Sequence, residues 1–164
     1  MEYSRKGGDM KKFLLVTLLI LLVTMTAVFA AQPREGFGVG LSLQAPFGVG
    51  AVAEYNFGVA SANASIGYVF NAFHIGLGGD YILPGLFENS ALGLDLQASV
   101  GGKLDMGFVK GATILGIGFP ISLSYYMESI PLKIFTRAVP EFIMTLGVDF
   151  DLGMRGEIGA MYLL

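Results

Sequence analysis

The sequence predicts an all-β fold: an eight-stranded antiparallel up-and-down β-barrel that spans a membrane. Three observations predict it. From Gly36 onward, apolar residues alternate with small or polar ones in stretch after stretch, the two-residue period that sends successive side chains to opposite faces of a strand. The 164-residue chain is 54% hydrophobic and only 14% charged, with a mean hydropathy of +0.66. After residue 30, however, glycines, serines and charges cut every apolar run short of the ~20 residues that a membrane helix needs. In a bilayer the backbone polar groups must be bonded internally, which leaves helices or closed barrels. The barrel is what remains.

The first thirty residues stand apart. Lys11 and Lys12 precede an apolar run from Phe13 to Phe29, and Val28-Phe29-Ala30 places small residues where a signal peptidase reads. The expectation is a signal peptide over residues 1–30, cleaved after Ala30, and a barrel domain over 31–164. An uncleaved anchor is the alternative. The Arg5-Lys6-Gly7-Gly8-Asp9 stretch is unusual for a signal, and its codons can spell a ribosome-binding site, so translation is expected to start at Met10. Amino-terminal sequencing of the precursor tests this: a product beginning at Met1 refutes it.

The strands follow in order. The first runs from Phe37 to Leu43, with Phe37, Val39, Leu41 and Leu43 on one parity, and turns at Ala45-Pro46-Phe47. The second, Gly48 to Tyr55, turns at Asn56-Phe57-Gly58, residues suited to a tight hairpin. The third, Val59 to Tyr68, sets Ala60, Ala62, Ala64 and Ile66 against Ser61, Asn63 and Ser65. The fourth spans Phe73 to Leu83 and stops at Pro84-Gly85. The fifth is expected over Leu92 to Lys103 and the sixth over Ile114 to Met127. Pro120 cannot donate to a ladder, so a bulge or a local break is expected inside the sixth. The seventh, Leu132 to Phe142, is the least regular, because Phe135 shares a parity with Lys133, Arg137 and Glu141. The eighth runs from Asp149 to Leu164. Strands of this length suit a tilted bilayer crossing.

Alternation alone leaves the outward face open. A soluble barrel would turn its apolar face inward around a ligand. Here the other face is mostly glycine, serine and alanine with isolated charges, a poor coat for a soluble protein. The apolar face suits lipid, and aromatics gather near strand ends (Phe37, Tyr55, Phe57, Tyr68, Phe70, Phe73, Tyr81, Phe87, Phe142 and Tyr162) as interfacial girdles do. An export signal, eight alternating strands and a Gly-rich inward parity resemble the small outer-membrane barrels of the OmpX and OmpA transmembrane-domain type. The resemblance spans residues 36–164 and is one of pattern. It implies an outer-membrane location, contact with outer-membrane lipid, and delivery by the barrel-assembly machinery, which reads the last strand. In that strand Tyr162 fits the alternation, while the terminal Leu164 stands where such proteins usually carry an aromatic residue.

Candidate chemistry is sparse. Residues 31–164 hold six Lys and Arg against eleven carboxylates, a net charge of −5 that disfavours nucleic acid. No cysteine is present, so there is no disulfide framework or thiolate metal site. His74 is the one histidine. A relay from Asp80 through His74 to a serine fails because six strand residues separate the two by roughly 20 Å. His74 is expected to be a polar residue at the barrel rim. The scattered acids show no metal-ligand spacing. Gly36-Phe37-Gly38-Val39-Gly40 has no helix after it and is not a nucleotide loop. No catalytic, cofactor or metal residue is expected.

The best-defined constellation is a set of charges on the inward parity: Glu54, Asp80, Asp95, Lys103, Lys133, Arg137, Glu141, Arg155 and Glu157. A charge facing lipid at mid-depth costs about 2–4 kcal/mol for Arg, so the lumen is where they belong. There they must pair, as a salt-bridge plug or as a polar conduction path. Links between strands are short, and only Asp105 to Ala112 is expected to offer a contact loop on the outward side. The favoured reading is a non-enzymatic outer-membrane protein with a structural or surface-interaction role and a side-chain-plugged lumen. A narrow channel or carrier and an outer-leaflet lipid-modifying enzyme are the alternatives. No surface ligand is named by the sequence.

Overall fold

A computed structural model gives the structure of the chain and describes residues 35–69, 71–84, 96–127, 130–145 and 149–164. The expected signal peptide and Asp95 lie outside the described residues. Among the described residues the strand segments are β1 (Gly36–Ala45), β2 (Gly48–Asn56), β3 (Ala60–Val69), β4 (Ala72–Leu83), β5 (Leu96–Val109), β6 (Ala112–Gly118), β7 (Ile121–Tyr126), β8 (Leu132–Thr145) and β9 (Asp149–Leu163). Every pairing is antiparallel, and β1 bonds to both β2 and β9, so the sheet closes on itself. β6 and β7 both lie between β5 and β8 and are halves of one strand. The result is an eight-stranded antiparallel closed barrel.

The break within that strand has a plain cause. Phe119 donates to the Pro140 carbonyl at 2.9 Å, and Gly101 donates to the Pro120 carbonyl at 2.9 Å. Neither proline can return a bond, because neither has an N–H. The register on both flanking strands continues unshifted from Gly118 to Ile121, so pairing lapses without an inserted bulge residue. Pro120 announced the break, and Pro140 on the next strand completes it.

The stagger of the barrel follows from the ladders. From Ala98 the paired residues run through Leu123, Thr136, Ile158, Leu43, Val49, Tyr68 and Phe73, and return to the starting strand at Phe108, ten residues along. That shear tilts the strands and, with eight of them, leaves an interior just wide enough for side chains.

Turns set the ends. Pro46-Phe47 and Lys110-Gly111 close hairpins at one end, here the loop end, while the start of β1 and the end of β9 meet at the other. Gly111 (φ +83) and Gly58 (φ +98) occupy left-handed backbone that side chains with a Cβ avoid. At the β2–β3 turn the Gly58 N–H donates to Asn56 Oδ1 at 2.8 Å, and Phe57 N–H to the Ala60 carbonyl at 2.8 Å. The expected contact loop from Asp105 to Ala112 does not exist. β5 continues to Val109 and β6 starts at Ala112, leaving a two-residue turn. Met106 and Phe108 carry the outward parity of β5 past Lys103. Asp105 breaks no strand because it points inward. β8 likewise runs beyond Phe142 to Thr145.

Outside, the barrel is apolar: Leu41, Leu77, Leu104 and Leu152 are 62–72% exposed. Aromatics cluster near both ends. Tyr68, Phe73 and Phe108 form a chain of ring contacts of 5.5 and 6.3 Å near the loop end, with Phe142 stacked on Phe150 at 5.5 Å. Tyr55 packs on Phe57 at 4.7 Å near the opposite end. Inside, Val52, Phe135 and Met161 form a small apolar cluster. Glycines make room for the inward apolar residues Phe135 and Val139: a Cβ on Gly159 would come 2.5 Å from the Phe135 ring, and one on Gly118 would come 2.6 Å from Val139.

Candidate functional site in the barrel lumen

The lumen is organised by β8, whose inward residues alternate between charged and apolar from the terminus end to the loop end: Lys133, Phe135, Arg137, Val139, Glu141 and Ile143. Lys133, Phe135, Arg137 and Val139 are buried, and Glu141 and Ile143 are partly so. Phe135 disturbed the alternation because it is an inward residue that fills the barrel. Its ring lies under the Arg137 guanidinium at 5.1 Å, a cation–π contact.

Two ion-paired layers span the interior. In the first, Arg137 reaches Glu157 at 3.4 Å, Asp80 at 3.4 Å and Glu54 at 3.8 Å, and its Nε donates to Ser122 Oγ at 3.1 Å. Lys133 pairs with Glu54, and Asn63 Nδ2 donates to Asp80 Oδ2 at 2.9 Å. The strand ladders set this geometry: Arg137 is the direct partner of Glu157 on β9 and of Ser122 on β7, while Glu54 and Asp80 reach in from β2 and β4. Two cations and three carboxylates share the layer.

The second layer lies nearer the loop end. Arg155 pairs with Asp105, and with Glu141 at 3.2 Å. Lys103 Nζ is 3.4 Å from Asp105, and His74 Nδ1 is 3.9 Å from it. Two cations and two carboxylates balance here. His74 is not at the rim: it is 4% exposed, facing the lumen from β4. Its ring nitrogens, the Lys103 amine, Asp105 Oδ1 and the hydroxyls of Ser42 and Ser65 have no hydrogen-bond partner among the described residues.

Of the charges expected inside, the described residues place Glu54, Asp80, Lys103, Lys133, Arg137, Arg155 and Glu157 in the lumen as buried groups, with Glu141 partly buried beside Arg155. The structure brings them together as two separate groups. Asp105 joins the second as an additional member. It shares its parity with Lys103 and Gly107, so extending the fifth strand by six residues would have found it. Tyr162 projects outward and is 54% exposed, and the Leu164 N–H donates to the Phe37 carbonyl at 2.8 Å, tying the end of the chain to β1. Among the described residues no set of three or more His, Cys, Asp or Glu is placed to hold a metal ion. Comparison with protein-family models, curated proteins and solved structures finds no match to the chain.

Proposed function

We propose that the chain is a small outer-membrane barrel of the OmpX and OmpA transmembrane-domain kind, exported by its first thirty residues, with a structural or surface-interaction role and a lumen closed by its own side chains. One observation carries this reading: the sides of the sheet are inverted relative to a water-soluble protein, with leucines outside and paired charges inside. A continuous exposed apolar surface of this extent needs a covering, and lipid is the covering that a belt flanked by aromatics fits. The outward Tyr162 of the last strand is the feature offered to the assembly machinery. Among the described residues no helix is long and apolar enough to cross a membrane.

The lumen supports a plug over a conduit. Arg137, in contact with three carboxylates and Phe135, and the Val52–Phe135–Met161 cluster lie across the path that an ion would take. An eight-stranded barrel holds little beyond such side chains. The refolded protein in planar bilayers is therefore expected to give no steady current. A reproducible unitary conductance would replace the plug with the narrow-channel reading.

A further inference from the structure

β6, the half-strand on the loop side of the proline break, is held by its backbone ladders and by apolar contact. It carries no charge and a single hydroxyl, Thr113, and it supplies no member of either ion-paired layer. β7, the other half, is anchored, because Ser122 Oγ accepts the Arg137 Nε–H at 3.1 Å. The two edges of β6 also differ. Against β5 it pairs from Ala112 to Gly118, and the Lys110-Gly111 turn joins the two strands covalently. Against β8 it pairs only from Ile114 to Gly118. Both ladders thin out below it. The Phe119 N–H donates to the Pro140 carbonyl and the Gly101 N–H to the Pro120 carbonyl, with no bond returned by either proline.

We propose that β6 is a hinged panel in the barrel wall. It pivots at Phe119-Pro120, keeps its pairing with β5 and parts from β8 between Ile114 and Gly118, opening the barrel sideways. The β8 edge is the one that parts because it is the shorter ladder and no turn closes it onto β6. Ile114 and Gly116 of β6 and Glu141 and Ile143 of β8 line a cavity of about 300 Å³ at the loop end. Parting that edge therefore joins this cavity to the outer face of the barrel. The Phe119 ring meets the Phe142 ring edge-on at 6.1 Å, a contact at the pivot, where displacement is smallest. Backbone groups freed in hydrocarbon are costly, so the open state is a minor and short-lived one. Arg137 and Phe135 lie on the other side of the pivot, so the panel moves without unplugging the axis.

Amide hydrogen exchange of the refolded barrel in lipid nanodiscs, read by NMR, tests the panel. Phe119 donates toward β8, so in an antiparallel ladder Leu115 and Ile117 donate the same way, while Gly116 and Gly118 donate toward β5. Leu115 and Ile117 are expected to share one opening constant and to exchange at least about tenfold faster than Gly116 and Gly118. Equal protection of the two sets would overturn the panel. So would a steady gradient from the Lys110-Gly111 turn, which is fraying of the hairpin. A lock gives the second readout. Leu115 and Met144 are direct partners, and the chain has no cysteine of its own, so Leu115→Cys with Met144→Cys can bridge the edge. Oxidation should slow Ile117 exchange by about tenfold or more, and reduction should restore it. Pro140→Val, which gives the Phe119 carbonyl a donor, should slow Ile117 in the same direction. Ile117 exchange that neither change slows would overturn the proposal. Conductance along the axis is read separately and bears on the plug alone.

Discussion

Arg137 and Glu157 are direct ladder partners on β8 and β9, and their side chains meet at 3.4 Å inside the barrel. The contact turns a parity pattern into a physical requirement. An Arg guanidinium stays charged at any ordinary pH, so wherever the sheet places it, carboxylates or water must follow. Here Glu157, Asp80 and Glu54 follow.

The first prediction concerns that pair. Arg137→Met leaves three buried carboxylates short of their main cation and should destabilise the barrel by about 3–5 kcal/mol. Glu157→Gln should cost less, because Asp80 and Glu54 still hold Arg137. Urea unfolding in lipid vesicles of both single variants and the double variant measures the coupling. Strictly additive effects would mean that the pair does not interact.

The second concerns packing. A Cβ on Gly118 would sit 2.6 Å from Val139 Cγ1, while its next neighbours are 3.7 Å away or more. Gly118→Ala should therefore cost about 1–3 kcal/mol by overpacking. Val139→Ala in the same chain removes the clashing methyl groups, so the double variant should unfold at higher urea than the sum of the two single effects implies. Equal additive losses would place the strain elsewhere.

The third concerns the outer face. Leu77 lies on β4 midway between Phe73 and Tyr81 and is 62% exposed, directly paired with Leu104 on β5. In a bilayer, Leu77→Arg should destabilise folding by about 2–4 kcal/mol, and Phe73→Arg, at the edge of the belt, by about 0–1 kcal/mol beyond the loss of its ring contacts. Refolding titrations in phosphocholine vesicles compare the two. A Leu77→Arg variant as stable as the parent would argue against lipid at that position.

The alternation of Phe37 to Leu43 and of Ala60 to Tyr68 made the strand faces legible, because a two-residue period is a local property. The shear was not legible, since it depends on the register of every ladder around the barrel. That is why Glu157, an adjacent-strand partner of Arg137, could be anticipated, whereas Asp80 and Glu54 could not: they come level with it only through the ten-residue stagger. Asp105 was hidden for a different reason. A charge among glycines near a hairpin looks like a loop, although its parity with Lys103 continues the inward face of β5, where it meets Arg155. His74 looked like a rim residue because it follows a turn closely, but the strand tilt draws its ring into the lumen.

On the proposed reading the leucine face meets lipid and the charged face is sealed inside. Spin labels on cysteines placed at Leu41, Leu77, Leu104 and Leu152, one at a time in vesicles, test it most directly. Each label is expected to collide with dissolved oxygen, which concentrates in hydrocarbon, and to be shielded from a water-soluble nickel chelate. Strong nickel collisions and weak oxygen collisions at these four sites would put the leucine face in water and rule out a lipid-facing barrel.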